Sequence, residues 1–206
     1  MPGLSPDTIL AWDFDGVLNR NIVDGRFFWA DTFEEDLNQS LEGFSDHVFG
    51  DRLPEILTGS LDLKTHVDLW ARQVGYAPGA DGLLSYWFER DYVPADDMFA
   101  LMDTLTERGH RQVLATNNEH HRTAFIENAT GVSGRVERVF ASGRMGVAKP
   151  HEDYFRHVTD TLMVAPERIF FVDDLLENVE AARAEGWEAF HLTDTTRAAL
   201  PAILLD

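Results

Sequence analysis

Cysteine is absent from all 206 residues, which removes disulfides, thiolate metal sites and cysteine nucleophiles, and allows an intracellular setting without requiring one. Basic residues are scarce: 17 Lys and Arg stand against 36 Asp and Glu, a formal charge of −19. Nucleic acid and anionic membrane surfaces are held by clustered cations, so this balance argues against both as partners. No apolar run has the length needed to span a bilayer. The opening "MPGLSPDTIL" lacks the basic and apolar regions of a signal peptide. A cytoplasmic location is expected. Internal repeats and low-complexity tracts are missing too. What the chain does have is apolar content, 44% hydrophobic, enough at this length to bury a core as one domain carrying a sizeable insertion.

The densest apolar stretch near the start, "TILAWDF" (8–14), suits a strand buried on both faces. In "IVDGRF" (22–27) an Asp-Gly pair between apolar flanks predicts a two-residue hairpin turn. A helix is expected to begin at Asp31, with Glu34 as its capping-box partner and Phe33, Leu37 and Leu41 on one face. Leu63, Val67, Trp70 and Val74 recur at helical spacing before Gly75, and Leu83, Leu84, Trp87 and Phe88 form another stripe. Residues 21–92 therefore read as a helical cap. Beyond "YVPADD" (92–97) short apolar runs alternate with helices: "RQVLAT" (111–116), "RVFAS" (138–142), "RIFFV" (168–172) and "WEAFHL" (187–192) are strands. The fold class is α/β, a Rossmann-like parallel sheet core built from residues 1–20 and 93–206 and interrupted once by the α-helical cap.

Functional groups of open parallel sheets gather beyond the carboxyl ends of the strands. Those ends carry Asp13 and Asp15 in "DFDG", Thr116 and Asn117 in "TNN", Lys149 in "KP", and the pair Asp173 and Asp174. Four acids, a hydroxyl and an ammonium are thus expected on one rim. Each motif alone is common, but their succession is specific. This set, in this order around a helical insert after the first strand, resembles the haloacid dehalogenase superfamily, in particular its magnesium-dependent phosphatase branch. The resemblance runs through the core; the cap matches only in position and helical character.

An ionised aspartate needs no helper base to attack phosphorus, and the resemblance gives Asp13 that role, with an aspartyl phosphate as intermediate. It makes Asp15 the acid that protonates the leaving alkoxide and then the base that takes a proton from water. It implies Mg2+ held by the side chains of Asp13 and Asp174 and the main-chain carbonyl of Asp15, with Asp173 behind them. Thr116 would bond the phosphoryl group and Lys149 its oxygens and Asp13; Asn117 and Arg20 complete the expected substrate contacts. Dehalogenating relatives lack an aspartate two residues after the first, so Asp15 favours phosphorus over carbon–halogen chemistry. The surplus of negative charge suggests that one carboxyl carries a proton in the substrate complex, and Asp15 is the candidate.

A cap that closes over the rim favours small substrates, and the expected partner is a small phosphorylated metabolite such as a sugar phosphate. The aromatic residues Phe27, Phe28, Trp29, Trp70, Trp87 and Phe88 read as cap packing, and His120 and His121 as solvated residues at a helix start. A phosphomutase fits the same motifs. A non-enzymatic aspartate phosphoacceptor also combines an acceptor, an acidic pair, Thr and Lys, though in another order and without the insert.

Overall fold

The computed structural model describes residues 4–23 and 25–205. The chain forms β1 (Ile9–Trp12), then a short antiparallel hairpin, β2 (Ile22–Val23) and β3 (Arg26–Phe27), and five helices: α1 (Phe33–Leu37), α2 (Leu41–Phe49), α3 (Leu53–Leu57), α4 (Leu63–Val74) and α5 (Gly79–Arg90). It returns through α6 (Asp96–Glu107) to β4 (Arg111–Thr116), α7 (His120–Ala129), β5 (Arg138–Ala141), α8 (Ser142–Met145) and α9 (Glu152–Leu162). It finishes with β6 (Ile169–Asp173), α10 (Leu176–Ala184), β7 (Glu188–His191) and α11 (Leu200–Leu205). The strands pair in the order β5-β4-β1-β6-β7, all parallel.

β1 is central because both its faces are apolar. Ile9 and Ala11 pack with Val113, Phe155 and Phe171 on one side, while Leu10 and Trp12 pack with Met98, Met102 and Leu105 on the other. Each such large side chain contributes about 1.5–3 kcal/mol by leaving water. The register sets Trp12 opposite Leu114 of β4 and Val172 of β6. One residue further on, Asp13 therefore lies level with Ala115 and Asp173.

The helices between β1 and β4 have a core of their own, in which Trp29, Phe33, Phe44, Val67, Trp70 and Leu83 are buried. Phe33 stacks on Phe44 with ring centroids 5.1 Å apart. Helix α4 stops as its sequence predicts, with Gly75 closing it at φ +69°, and at its start Asp62 accepts the Thr65 N–H at 2.7 Å. The helix expected from Asp31 forms only over Phe33–Leu37, later and shorter than its pattern suggests and without the expected capping box. Residues Phe28–Asp31 make a 3-10 turn, α1 has no side-chain cap, and Glu34 accepts from the Leu41 N–H at 3.0 Å instead of folding back on its own helix. Asn38 at φ +51° then breaks the path, and Ser40 caps α2 separately. The hairpin pairs Ile22 with Phe27 and Val23 with Arg26, as a two-residue turn requires; Asp24 of that turn lies outside the described residues. Among those residues, no helix is long and apolar enough to cross a membrane.

The insert is fastened over the sheet rim by polar contacts. Ser142 Oγ donates to the Leu57 carbonyl at 2.6 Å, and His121 Nε2 meets Asp62 Oδ2 at 2.8 Å. His121, expected to be solvated, thus ties α7 to the start of α4. At Gly59, φ +74°, a Cβ would overlap the Gly143 carbonyl, so the backbones of insert and core touch there.

Candidate active site

The level shared by Asp13, Ala115 and Asp173 converges on one ammonium. Lys149 Nζ lies 3.0 Å from Asp13 Oδ1 and donates to Asp173 Oδ2 at 2.7 Å and to the Ala115 carbonyl at 2.8 Å. Its loop is held in place by Asn117, whose Oδ1 accepts the Lys149 N–H at 2.9 Å and whose Nδ2 donates to the Lys149 carbonyl at 2.8 Å. Asn117, expected to contact substrate, lines the cavity and has both ends of its side-chain amide on the Lys149 backbone. Thr116, buried at the end of β4, accepts from Asn118 Nδ2 at 2.7 Å.

Burial raises the Asp13 carboxyl well above the usual carboxylate range, Lys149 pulls it back, and Asp173, Asp174 and Asp15 push it up again. Burial likewise lifts Asp174 to about 6, helped by Asp173 and opposed by Lys149. For Lys149 burial favours the neutral amine, but the charges of Asp13 and Asp173 outweigh it and the net shift is upward. Acid and base alike hold their protons tightly, the behaviour of a pocket with too much negative charge.

Asp15 is wrapped by donors. Asn19 Nδ2 and Asn21 Nδ2 each reach its Oδ1 at 2.9 Å, Asn118 Nδ2 reaches Oδ2 at 3.1 Å, and Arg122 lies 3.4 Å from Oδ1. Asp15 thus faces amides and a guanidinium, while the carboxyls that burial pushes up are Asp13 and Asp174.

Arg122 is the site residue the sequence reading missed. Its side chain is 6% exposed and pairs with buried Asp91 as well as Asp15. Burial lifts Asp91 to about 7 against the pull of Arg122. Arg122 sits in the first turn of α7, whose leading N–H groups are capped by Glu119 Oε1 and Oε2. Arg20 was preferred for its closeness to Asp13 in sequence. It is exposed and lines no part of the cavity at the site.

Asp13, Asp173 and Asp174 each bring a carboxylate oxygen within 4.8 Å of the others. Asp173 is fully used: Lys149, Asn178 Nδ2 at 3.1 Å from each oxygen, and the Leu175 N–H at 2.8 Å all donate to it. That leaves Asp13 and Asp174 as the side chains free to ligate. Their hard oxygens and unrelieved repulsion fit a divalent cation such as Mg2+. Gly16 makes room for this pair: it stands at φ +76°, and a Cβ there would overlap the Asp174 carboxylate. We expect Gly16→Ala to weaken Mg2+ binding by about 10–100-fold in calorimetric titration; wild-type affinity would show that Asp174 is no ligand.

A cation must displace the proton that Asp174 holds below about pH 6. The raised carboxyl favours the metal-free fold at low pH and loses that advantage as pH rises through 6, whereas the metal needs the ionised form. The rise in melting temperature on adding Mg2+ should therefore be large at pH 7.5 and small at pH 5. Equal rises at both would contradict this.

A cavity of about 430 Å³ lies between the rim and the insert. Asp13, Asp15, Thr116, Lys149 and Asp174 form its floor. Its walls are apolar, and Phe27, Trp29, Trp87 and Phe88 from the aromatic set line it. Trp70 packs in the insert core as expected; Trp29, Trp87 and Phe88 pack in or against that core and also line the cavity, Phe27 is 39% exposed at the mouth, and Phe28 is exposed without lining the cavity.

A family model for haloacid dehalogenase-like hydrolases matches residues 8–186. Of solved structures, the HAD family enzyme bt-2542 of Bacteroides thetaiotaomicron is similar at 20% identity and TM-score 0.76, over 96% of this chain and 98% of that one. A second structure of that enzyme, at 21% identity and TM-score 0.72 over 90% and 94% of the chains, is a complex with magnesium and inorganic phosphate. L-2-haloacid dehalogenase of Xanthobacter autotrophicus is similar at 16% identity and TM-score 0.66, over 94% of this chain and 80% of that one. Among curated proteins, sesquiterpene phosphatase astK of Aspergillus oryzae is 42% identical over 57 residues, 28% of this chain. That match spans 29% of astK, less than a third of its length.

Proposed function

The chain belongs to the haloacid dehalogenase-like hydrolases, and from that premise we propose that it hydrolyses small phosphate monoesters, using Mg2+ and an aspartyl phosphate formed on Asp13. The observation that carries this reading is Asp15, a carboxyl held in the cavity floor beside the nucleophile by Asn19, Asn21, Asn118 and Arg122. A leaving alkoxide needs a proton, whereas a leaving halide does not. The relative named a phosphatase and the neighbour that holds magnesium and phosphate support the same choice.

In this reading Lys149 orients the Asp13 carboxylate through Oδ1, and Asp13 attacks phosphorus as the ester P–O bond breaks. Asp15 gives its proton to the departing oxygen. Water then attacks the aspartyl phosphate, Asp15 takes the proton of that water, and Asp13 is released as a carboxylate. Thr116 and Lys149 hold the phosphoryl oxygens. Asp13, Asp174 and the Asp15 carbonyl would hold Mg2+, which when bound offsets the charge of the phosphoryl group. The insert, fastened through Ser142 and His121, keeps bulk water out.

The test measures phosphate released from p-nitrophenyl phosphate and chloride released from 2-chloropropionate, each with Mg2+ and with EDTA. Phosphate release that needs Mg2+, without chloride release, is expected. Chloride release in EDTA with no phosphate would replace this reading with dehalogenation.

A further inference from the structure

We propose that the natural substrate is the monophosphate of an apolar alcohol of about ten carbons, its phosphate on the Asp13 floor and its tail against the insert. This rests on the phosphatase reading above and deepens it. A sugar ring would bring several hydroxyls, each of which loses water on entry and needs a partner.

Most polar groups of the wall side chains are already partnered inside the protein. Asn21 is spent on Asp15 and Asp91, Asn117 on the Lys149 backbone, Asn118 on Asp15 and Thr116, and Arg122 on Asp91 and Asp15. Glu119 is bound to the N–H groups of its own helix, and Asn178 donates to Asp173. Two oxygens without partners, Asp91 Oδ1 and Asn178 Oδ1, are sealed from solvent.

The rest of the wall is hydrocarbon: Phe27, Phe49, Ile56, Leu63 and Trp87 from the insert, and Leu175 from the core. The mouth is apolar as well. Ile22, Phe27 and Leu175 are 36%, 39% and 48% exposed, on a chain whose formal charge is −19. Large apolar side chains left in water around one opening mark a ligand-binding surface. The volume sets the length. At about 30 Å³ per water-sized atom, 430 Å³ holds roughly fourteen non-hydrogen atoms; the phosphate, one P and four O, takes five, which leaves about nine to ten.

The test is a series of n-alkyl monophosphates from ethyl to tetradecyl, with glucose 6-phosphate beside them, assayed for phosphate release by the full chain in Mg2+. We expect kcat/KM to rise with each methylene, by up to about fourfold per step, and to level off or fall beyond about ten carbons. Leu175→Asp and Phe27→Asp, both at solvent-exposed positions, should cut the decyl-to-ethyl ratio at least about tenfold. A flat series, or glucose 6-phosphate turned over better than decyl phosphate, overturns the inference and leaves the phosphatase reading standing. Binding of decyl and ethyl phosphonate, measured by calorimetry in Mg2+, separates the two further. Decyl binding at least about tenfold tighter supports the apolar tail even where no ester is hydrolysed, and equal binding refutes it.

Discussion

Asp13→Asn is expected to lower Mg2+-dependent phosphate release by at least about 10⁴-fold, the scale of removing a nucleophile, while leaving the metal-free protein at least as stable as the wild type. The two effects have one cause. Asp13 is a buried carboxyl that three neighbouring aspartates crowd and only Lys149 relieves, so an ionised group there costs stability that a neutral amide of the same shape does not. Melting in EDTA and phosphate release in Mg2+ measure the two sides separately. A variant that loses activity because it unfolds would contradict this account, and so would one that retains a tenth of wild-type turnover.

Lys149→Met is expected to have the opposite effect on the fold. It removes the one ammonium between Asp13 and Asp173 while preserving most of the side-chain volume, and so leaves two buried carboxylates without their cation. Breaking a buried pair in this way costs about 3–5 kcal/mol. The sign with pH follows from the directions of the shifts. The Lys149 ammonium is held charged by its neighbours, so it contributes stability at every pH below the unfolded lysine value of about 10.4. Its removal hurts most where the carboxylates are ionised. As pH falls and Asp13, whose carboxyl burial raises, takes up its proton, the variant should approach the wild type in urea denaturation, with added Mg2+ closing part of the gap at neutral pH. A constant deficit from pH 4 to 8 would show that packing, not charge, is what Lys149 supplies.

The rim was legible in the sequence because its parts are local. Asp13, Thr116, Lys149 and Asp173 each follow an apolar run or its loop, and a parallel sheet carries such ends to one edge. What surrounds Asp15 was not legible. Asn19, Asn21 and Asn118 are amides with no signature of their own, and they meet only because the chain turns at Gly16 and β4 lies beside β1. Arg122 was hidden one turn inside a helix that reads as ordinary, whereas Arg20 drew attention by mere proximity along the chain. Periodicity identified Trp87 and Phe88 as an apolar stripe, but it does not tell whether such a stripe faces a core or an empty chamber. The sugar phosphate expectation came from the presence of a cap alone, and a helical pattern does not report how the chamber beneath it is lined. At Asp31 a capping-box pattern was present, yet Thr32 and the turn at Asn38 took the chain elsewhere.

Asp15→Asn should still accept phosphate on Asp13 from an ester with a good leaving group, because p-nitrophenolate departs without a proton, yet it should release that phosphate slowly, for want of a base. Rapid acid quenching of this variant after mixing with Mg2+ and labelled p-nitrophenyl phosphate is the most direct measurement. Label bound to the chain, approaching one per molecule, released by hydroxylamine and mapped to the peptide holding Asp13, is the predicted result. Phosphate release by the wild type together with no label on the quenched variant at any time would contradict a covalent route through Asp13.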